Sequence, residues 1–315
     1  MLVYTIRRML GIIPLVLAIA TITFLLMHSV EGGPFDSDRP LSEVQRKNLE
    51  RRYGIDKSLP EQYITYIGNL AQGDLGISFA NDRPIRDIIK ERMEISSQLG
   101  IAAFLFATIF GLSLGVISSL NQNGIGDYVG VFLATVGAAM PSIVLAPLLT
   151  IFLAVNVHWF RVLSSDYGFT GWFTGDFSNW RQVVLPTIAL GFLPMAFIAR
   201  ITRASMLEVL RQDYVRTARA KGLKEHLVVI RHAAKNAMIP VLTVLGPIFA
   251  GLITGSLVIE SQFSIPGLGR EFVRSVLIRD YGLIMGVTIF FAVIIALMNL
   301  VVDLLYAVAD PRIRY

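Results

Sequence analysis

Residues 213–236, DYVRTARAKGLKEHLVVIRHAAKN, form a polar island between stretches of apolar sequence long enough to cross a membrane. Arg216, Arg219, Lys221, Lys224, Arg231 and Lys235 supply its charge, Arg200, Arg203 and Arg211 precede it, and the chain becomes apolar again from Ile239. Ala218, Ala220, Leu223, Leu227, Val228, Ile230 and Ala234 recur among the charges at spacings that suit short amphipathic helices, and Gly222 is the expected break between them. Such a segment has two readings. It is a basic helix lying on a membrane surface, or it is a docking element that presents a helix to a soluble partner.

Composition restricts the rest of the chain to a membrane class. Its 315 residues are 54% hydrophobic and only 16% charged, with a mean hydropathy of +0.62, whereas a soluble domain carries about 25% charged residues. A net charge of +5 would suggest nucleic acid for a soluble protein; here it suits loops facing anionic lipid, and no nucleic-acid partner is expected. The absence of cysteine excludes a disulfide framework, a thiol nucleophile and a Cys-based metal site.

Working outward from the island, six apolar runs are long enough to span about 30 Å of hydrocarbon. They are Met9–Ser29, Gln98–Leu120, Tyr128–Val155, Val183–Ile201, Ala237–Ile259 and Tyr281–Tyr306. The first could also be a secretory signal, since Arg7 and Arg8 precede it, but it is long for one and lacks an A-x-A-like cleavage site. Gly111 and Gly115 form a GxxxG in the second run, a spacing that allows close helix approach in lipid. Proline kinks are expected in the third run (Pro141, Pro147), the fourth (Pro186, Pro194) and the fifth (Pro240, Pro247). In the third, Thr135, Ser142 and Thr150 are candidates to line a translocation path, because prolines free carbonyls that need a wet or protein-lined neighbour. These hydroxyls could equally bond back within their own helix. Asp303 in the last run is either a functional charge or a satisfied structural one.

The runs suggest a division into residues 1–96, a first span plus a large polar loop, and residues 97–315, a five-span core that carries 213–236. The polar stretch Glu31–Ser96 suggests short helices over Leu41–Tyr53, Pro60–Gln72 and Pro84–Glu94. Trp159, Trp172 and Trp180 in the loop 156–181 suit a membrane interface. The sequence contains no G-x-x-x-x-G-K-[ST] and no H-E-x-x-H, so neither a phosphate-cradling loop nor a zinc-protease helix is present.

Several blocks resemble the B-type permeases of dipeptide, oligopeptide and nickel ABC importers. Aligned on Gly222, the general EAA loop of ABC permeases places Arg216, Thr217 and Ala218 at its Glu-Ala-Ala positions. The peptide-importer form reads much like Tyr214-Val-Arg-Thr-Ala-Arg-Ala-Lys-Gly-Leu223, followed by Arg231-His-Ala and Asn236-Ala-x-Ile-Pro240. Gly73-Asp-Leu-Gly-Ile-Ser-Phe79, Phe263-Ser-Ile-Pro-Gly-Leu-Gly269, Arg279-Asp-Tyr281 and the tail Asp310-Pro-Arg-Ile-Arg-Tyr315 match further blocks. The resemblance implies an all-α polytopic membrane protein with six kinked spans of the type I ABC importer kind and one large external loop. It implies a subunit of a bacterial or archaeal cytoplasmic-membrane importer, not itself an enzyme. The implied partners are a C-type sister permease in a heterodimer, two cytoplasmic ABC ATPases that hold the ATP and Mg, and an extracytoplasmic substrate-binding protein. This chain would bind no cofactor. Asp213, Tyr214, Arg216, Thr217, Ala218, Arg219, Gly222, Leu223, Arg231 and His232 would then form the ATPase-coupling surface. Peptides are the implied cargo, with nickel chelates or another small solute as alternatives. An ion-coupled secondary transporter is the rival class; it would need an ion site and usually internal repeats, neither of which is evident.

Lys and Arg counts orient the spans. The head, the second-to-third connector, residues 200–236 and the tail carry 13, against 5 in the two short opposite loops. The head, residues 213–236 and the tail are therefore expected in the cytoplasm and Glu31–Ser96 outside. Because the chain has no cysteine, a Ser58→Cys variant is expected to react with an impermeant thiol reagent added to the outside of cells. Labelling only after access to the cytoplasmic side would reverse the orientation.

Overall fold

The computed structural model describes residues 2–29, 43–155 and 180–309, whose regular secondary structure is helical apart from one isolated β-bridge, Ile77 with Pro84. Among the described residues thirteen α-helices follow in order: α1 Leu2–Ser29, α2 Glu43–Tyr53, α3 Leu59–Ala71, α4 Ile85–Leu120, α5 Ile125–Ala139, α6 Ser142–Leu149, α7 Trp180–Leu210, α8 Asp213–Ala220, α9 Glu225–Leu227, α10 Lys235–Ile253, α11 Leu257–Gln262, α12 Leu268–Leu277 and α13 Tyr281–Ala309. Two π-helical segments, Thr150–Val155 and Val228–Ala234, follow α6 and α9. Trp159, Trp172 and the tail Asp310–Tyr315 lie outside the described residues, as does the start of the polar stretch up to residue 42. Among the described residues, five helices are long and apolar enough to cross a membrane, and a bent pair, Ile125–Ala139 with Ser142–Leu153, makes a sixth if taken as one span.

Three expectations are corrected. The helix expected at Pro84–Glu94 is not separate: α4 runs unbroken from Ile85 to Leu120, because no Gly or Pro interrupts Met93 to Gln98. The third span is broken rather than kinked, turning by 111° between α5 and α6. Met140 and Pro141 there are both extended (ψ 112° and 143°), as the clash of a proline ring with the preceding residue favours. The fourth span does not end at Ile201. Helix α7 continues to Leu210, so Arg200 and Arg203 lie within it and not in the polar loop.

Contacts divide the chain into two compact units, residues 1–96 with 266–315, and residues 97–265. The cut after Ser96 falls within α4, and the last span belongs to the first unit. In that first unit α1 packs along α13, and Arg8 Nε donates to Asp303 Oδ2 at 2.9 Å, which gives Asp303 a structural partner. Ile85, Ile88 and Ile89 of α4 form a core with Leu268, Leu283 and Val287. Asp280 is the polar centre of the unit. Its buried carboxylate accepts from Ser78 Oγ, from the Phe79 and Ala80 amides at 3.0 and 3.3 Å, and from the Leu283 amide at 3.1 Å. Two blocks that stand 200 residues apart in the sequence thus meet at one side chain. Helix α3 begins with Pro60 in its first turn, and Glu61 reaches back to the Ser58 amide at 3.2 Å. A cavity of about 470 Å³ opens beside it, lined by Phe24, His28, Tyr53, Tyr66, Phe79 and Tyr281. Burial first, and then neighbouring Tyr63, pushes the Tyr66 phenol up to about 12, which keeps it neutral.

The second unit is built around α7. Of its most apolar stretch 61% is buried, against 17–28% for the other four spanning helices. Lipid offers no hydrophobic drive for helices to associate, so their contact relies on close van der Waals approach. Glycines provide it. A Cβ on Gly111 would lie 2.8 Å from Ile198 Cβ, one on Gly115 2.5 Å from Thr202 Cβ, and one on Gly137 2.7 Å from Ala196 Cβ. The GxxxG of α4 and a glycine of α5 therefore both face α7. A Gly115→Leu variant is expected to lose stability by about 1–3 kcal/mol through overpacking, read as a lower melting temperature of the purified protein. Gly251→Leu, where a Cβ meets nothing within 4 Å, is the matched control and should melt like the parent.

Candidate functional site

The polar island folds as two short helices on the end of α7. In α8, Val215 and Ala218 are buried against Val228 and are flanked by Val209 and Leu210 of α7. Downstream, Val229, Ala233 and Ala237 pack on Met206. Of the apolar residues singled out by their spacing, Ala218 and Val228 lie in this inner layer that seats the loop on α7, whereas Ala220, Leu223, Leu227 and Ile230 are exposed.

Gly222 ends α8. Its φ is +76°, its N–H donates to Arg219 O at 2.9 Å, and the Leu223 N–H reaches back to Ala218 O at 3.4 Å. This pair of bonds is a Schellman cap, which places its C′ residue in the left-handed region where glycine is least strained. Open space surrounds the position, so the demand for glycine comes from the backbone and not from a neighbour. Two further contacts close the loop. Arg219 Nη2 donates to Glu225 Oε1 at 2.7 Å across the turn, which raises the Arg219 pKa above its ordinary value. Asn236 Nδ2 donates to Tyr214 Oη at 2.9 Å, joining the start of α10 to the start of α8.

The ten residues expected to couple to a partner separate by depth. Asp213, Tyr214, Arg216, Thr217, Arg219, Gly222, Leu223 and Arg231 are exposed, His232 is half-buried and Ala218 is inside. Leu227 and Ile230 join the exposed set, at 41% and 68%. The outer layer therefore combines aromatic and aliphatic groups with guanidinium groups, a mixture suited to a protein surface. Thr217 Oγ1 is committed to Asp213 O at 2.9 Å. The three path candidates stand apart from this loop. Thr135 Oγ1 donates to Val131 O at 2.7 Å and Thr150 Oγ1 to Ala146 O at 3.0 Å, the within-helix bonding considered above. Thr135 also lines a crevice of about 270 Å³ with Ser118, Arg200 and Arg203, whereas Ser142 is half-buried at the start of α6.

One constellation in the same unit is not evident from the spacing of the sequence. Asp127, 4% exposed, accepts from Arg203 Nε and Nη2, both at 2.7 Å, from the Asn123 N–H at 3.0 Å, and from Ser118 Oγ. An Asp opening one apolar run and an Arg just past the end of another were the available signal, since a charge inside a membrane helix requires a partner.

Apolar helices of spanning length that carry such a packed polar loop define a polytopic membrane protein. The fold resembles that of an amino acid ABC transporter solved with histidines (TM-score 0.53, 16% identity, 70% of this chain and 94% of that one). It resembles equally the inward-facing MetNI methionine ABC transporter (TM-score 0.53, 14% identity, 71% and 96%). The family described as binding-protein-dependent transport system inner membrane component matches residues 107–315, and its N-terminal counterpart matches residues 1–100; the chain belongs to this family. It is 42% identical to the dipeptide transport system permease protein DppB of Bacillus subtilis over 99% of this chain and 97% of that protein. It is also 42% identical to the oligopeptide transport system permease protein OppB of Escherichia coli over the full length of both. The chain is thus a permease subunit of an ABC transport system.

Proposed function

We propose that this chain forms, with a sister permease, the membrane path of an ATP-driven importer of di- or oligopeptides. The observation that carries this reading is the end-to-end identity of 42% to both a dipeptide and an oligopeptide permease. Under this reading ATP and Mg are bound by two cytoplasmic ATPase partners, and an extracytoplasmic binding protein delivers the peptide. The termini and residues 213–236 face the cytoplasm, in line with the Lys and Arg asymmetry. The five-span region from residue 97 onward is the transporting core, and Thr135, Ser142 and Thr150 are its path candidates.

Coupling runs through the two layers of the loop. The exposed layer, Asp213, Tyr214, Arg216, Thr217, Arg219, Leu223 and Arg231, meets the ATPase. The inner layer, centred on Val215, Ala218 and Val228, passes its displacement to the end of α7. Gly222 sets the angle between the two short helices, and half-buried His232 supports the second of them.

The test uses the assembled transporter in liposomes, with labelled di- and tripeptides and with ATP hydrolysis measured in parallel. Peptide uptake is expected only with ATP and the binding protein present, and uptake driven by an ion gradient alone would refute the reading. Gly222→Val is expected to strain the turn by about 1–3 kcal/mol and to suppress substrate-stimulated ATP hydrolysis without loss of membrane insertion. Arg216→Glu, which reverses an exposed charge, should act in the same direction. Glu225 is paired with Arg219, so the neutral control is exposed Lys224→Gln. Normal coupled hydrolysis in both test variants would remove the docking assignment.

A further inference from the structure

Toward α4 and α10, helix α7 presents large side chains, Phe192, Met195, Ile198 and Ile201, which interlock with Phe106, Leu112, Val241 and Leu245. Toward α5 the contact is of small side chains: Ala134 and Gly137 of α5 lie on Ala196 and Ala199. This seam of glycine and alanine allows close approach but offers few protruding ridges, so shape alone defines the register of α5 on α7 weakly. The Asp127–Arg203 pair is of another kind. It is bidentate and directional, and displacement would leave a charge unpaired in an apolar interior. One carboxylate collects α4 through Ser118, the α4–α5 turn through the Asn123 amide, and α7 through Arg203, while itself standing on α5. Arg203 lies one turn before Met206 and two turns before Leu210, the residues on which the 213–236 loop is seated. On the other side, α5 leads from Asp127 to the 111° break at Met140–Pro141.

We propose that Asp127 and Arg203 are positioning residues for transport: their ion pair makes α4, α5 and α7 move in fixed register, so that displacement of the 213–236 loop reaches the break in the third span. The inference rests on the reading of that loop as the ATPase-docking element. Arg203 serves as the lever on α7 and Asp127 as its seat on α5. Without the pair, α7 still receives the push but slides over α5 along the smooth seam, and ATP is hydrolysed without the matching transport.

The test is Asp127→Asn combined with Arg203→Gln, which removes both charges together and leaves neither unpaired. The double variant is assembled with its sister permease, ATPases and binding protein in liposomes, and uptake and ATP hydrolysis are measured on one preparation. Uptake per ATP hydrolysed is expected to fall by about tenfold, within the 5–150-fold range common for coupling between sites, with ATP hydrolysis per assembled complex retained. Arg203→Lys keeps the charge but not the two-pronged geometry and should give an intermediate ratio. Restoring register by another route should restore the ratio: Ala134→Cys and Ala199→Cys, placed at contacting positions, are joined by a short thiol-reactive linker in the double variant. A normal ratio in the double variant overturns the proposal. So does a loss that the linker fails to reverse, or a parallel drop in uptake, hydrolysis and yield, which marks a purely structural role. Failure of the underlying docking reading shows elsewhere, as normal coupled hydrolysis in Gly222→Val and Arg216→Glu.

Discussion

Helices in a bilayer gain nothing by hiding apolar surface from water, so the second unit is held by how closely backbones can meet. That constraint explains why α7 sits at its centre. Gly111, Gly115 and Gly137 remove the side chains that would otherwise hold α4 and α5 away from it. Helices that approach so closely leave little room for large polar groups between them, and the Asp127–Arg203 pair stands at the margin of the seam, where α5 begins. The polar loop depends on the same arrangement, because its inner residues are seated on Met206, Val209 and Leu210 of a helix already fixed from its other sides.

The loop itself solves a problem of opposite demands. It must be polar enough to stay out of the bilayer and apolar enough to hold its place on α7. Alternation by depth satisfies both: Val215, Ala218, Val228 and Ala233 face inward, while Arg216, Arg219 and Arg231 face out. Its rigidity comes from cheap local devices, a left-handed glycine, an ion pair across the turn, and the Asn236–Tyr214 bond that closes the base. A loop built in this way leaves its backbone little conformational freedom to lose on binding.

Much of this was legible in the sequence, for identifiable reasons. Membrane spans announce themselves through length and apolarity, and Gly222 through its place between two amphipathic stretches. The close approach at Gly111 and Gly115 followed from their spacing. What escaped depended on partners distant in the chain or on subtle helix geometry. The continuity of α4 through Ser96 was hidden because a polar stretch passing into an apolar one looks like a boundary, although no helix-breaking residue stands there. Proline marks the third span without saying whether it kinks or breaks; the extended Met140 decides that. Arg203 was assigned to the loop because charge was taken to mark the end of a span, whereas its partner Asp127, 76 residues earlier, lets the helix continue past it. The depth of each loop residue was legible only as an alternation, and Ala218 could not be told from its exposed neighbours without knowing which face α7 occupied.

One feature of the first unit has meaning for how such chains vary. The segment from Leu75 to Ala80 is tied to the start of α13 through a single carboxylate, with Ser78 and two backbone amides as its partners. Backbone amides belong to any sequence, so the tie asks for one hydroxyl and one aspartate and leaves the identities of most surrounding residues open. Substitution along Leu75–Ala80 is therefore tolerated wherever the hydroxyl at 78, the Asp at 280 and the bare backbone at Gly282, where a Cβ would lie 2.5 Å from Ile77 O, are kept together. Helix α3 is held separately, by Tyr63 Oη with Thr21 Oγ1 at 2.7 Å and Gln62 Oε1 with His28 Nε2 at 3.1 Å, so diversity outside the spans is confined to positions away from both attachments.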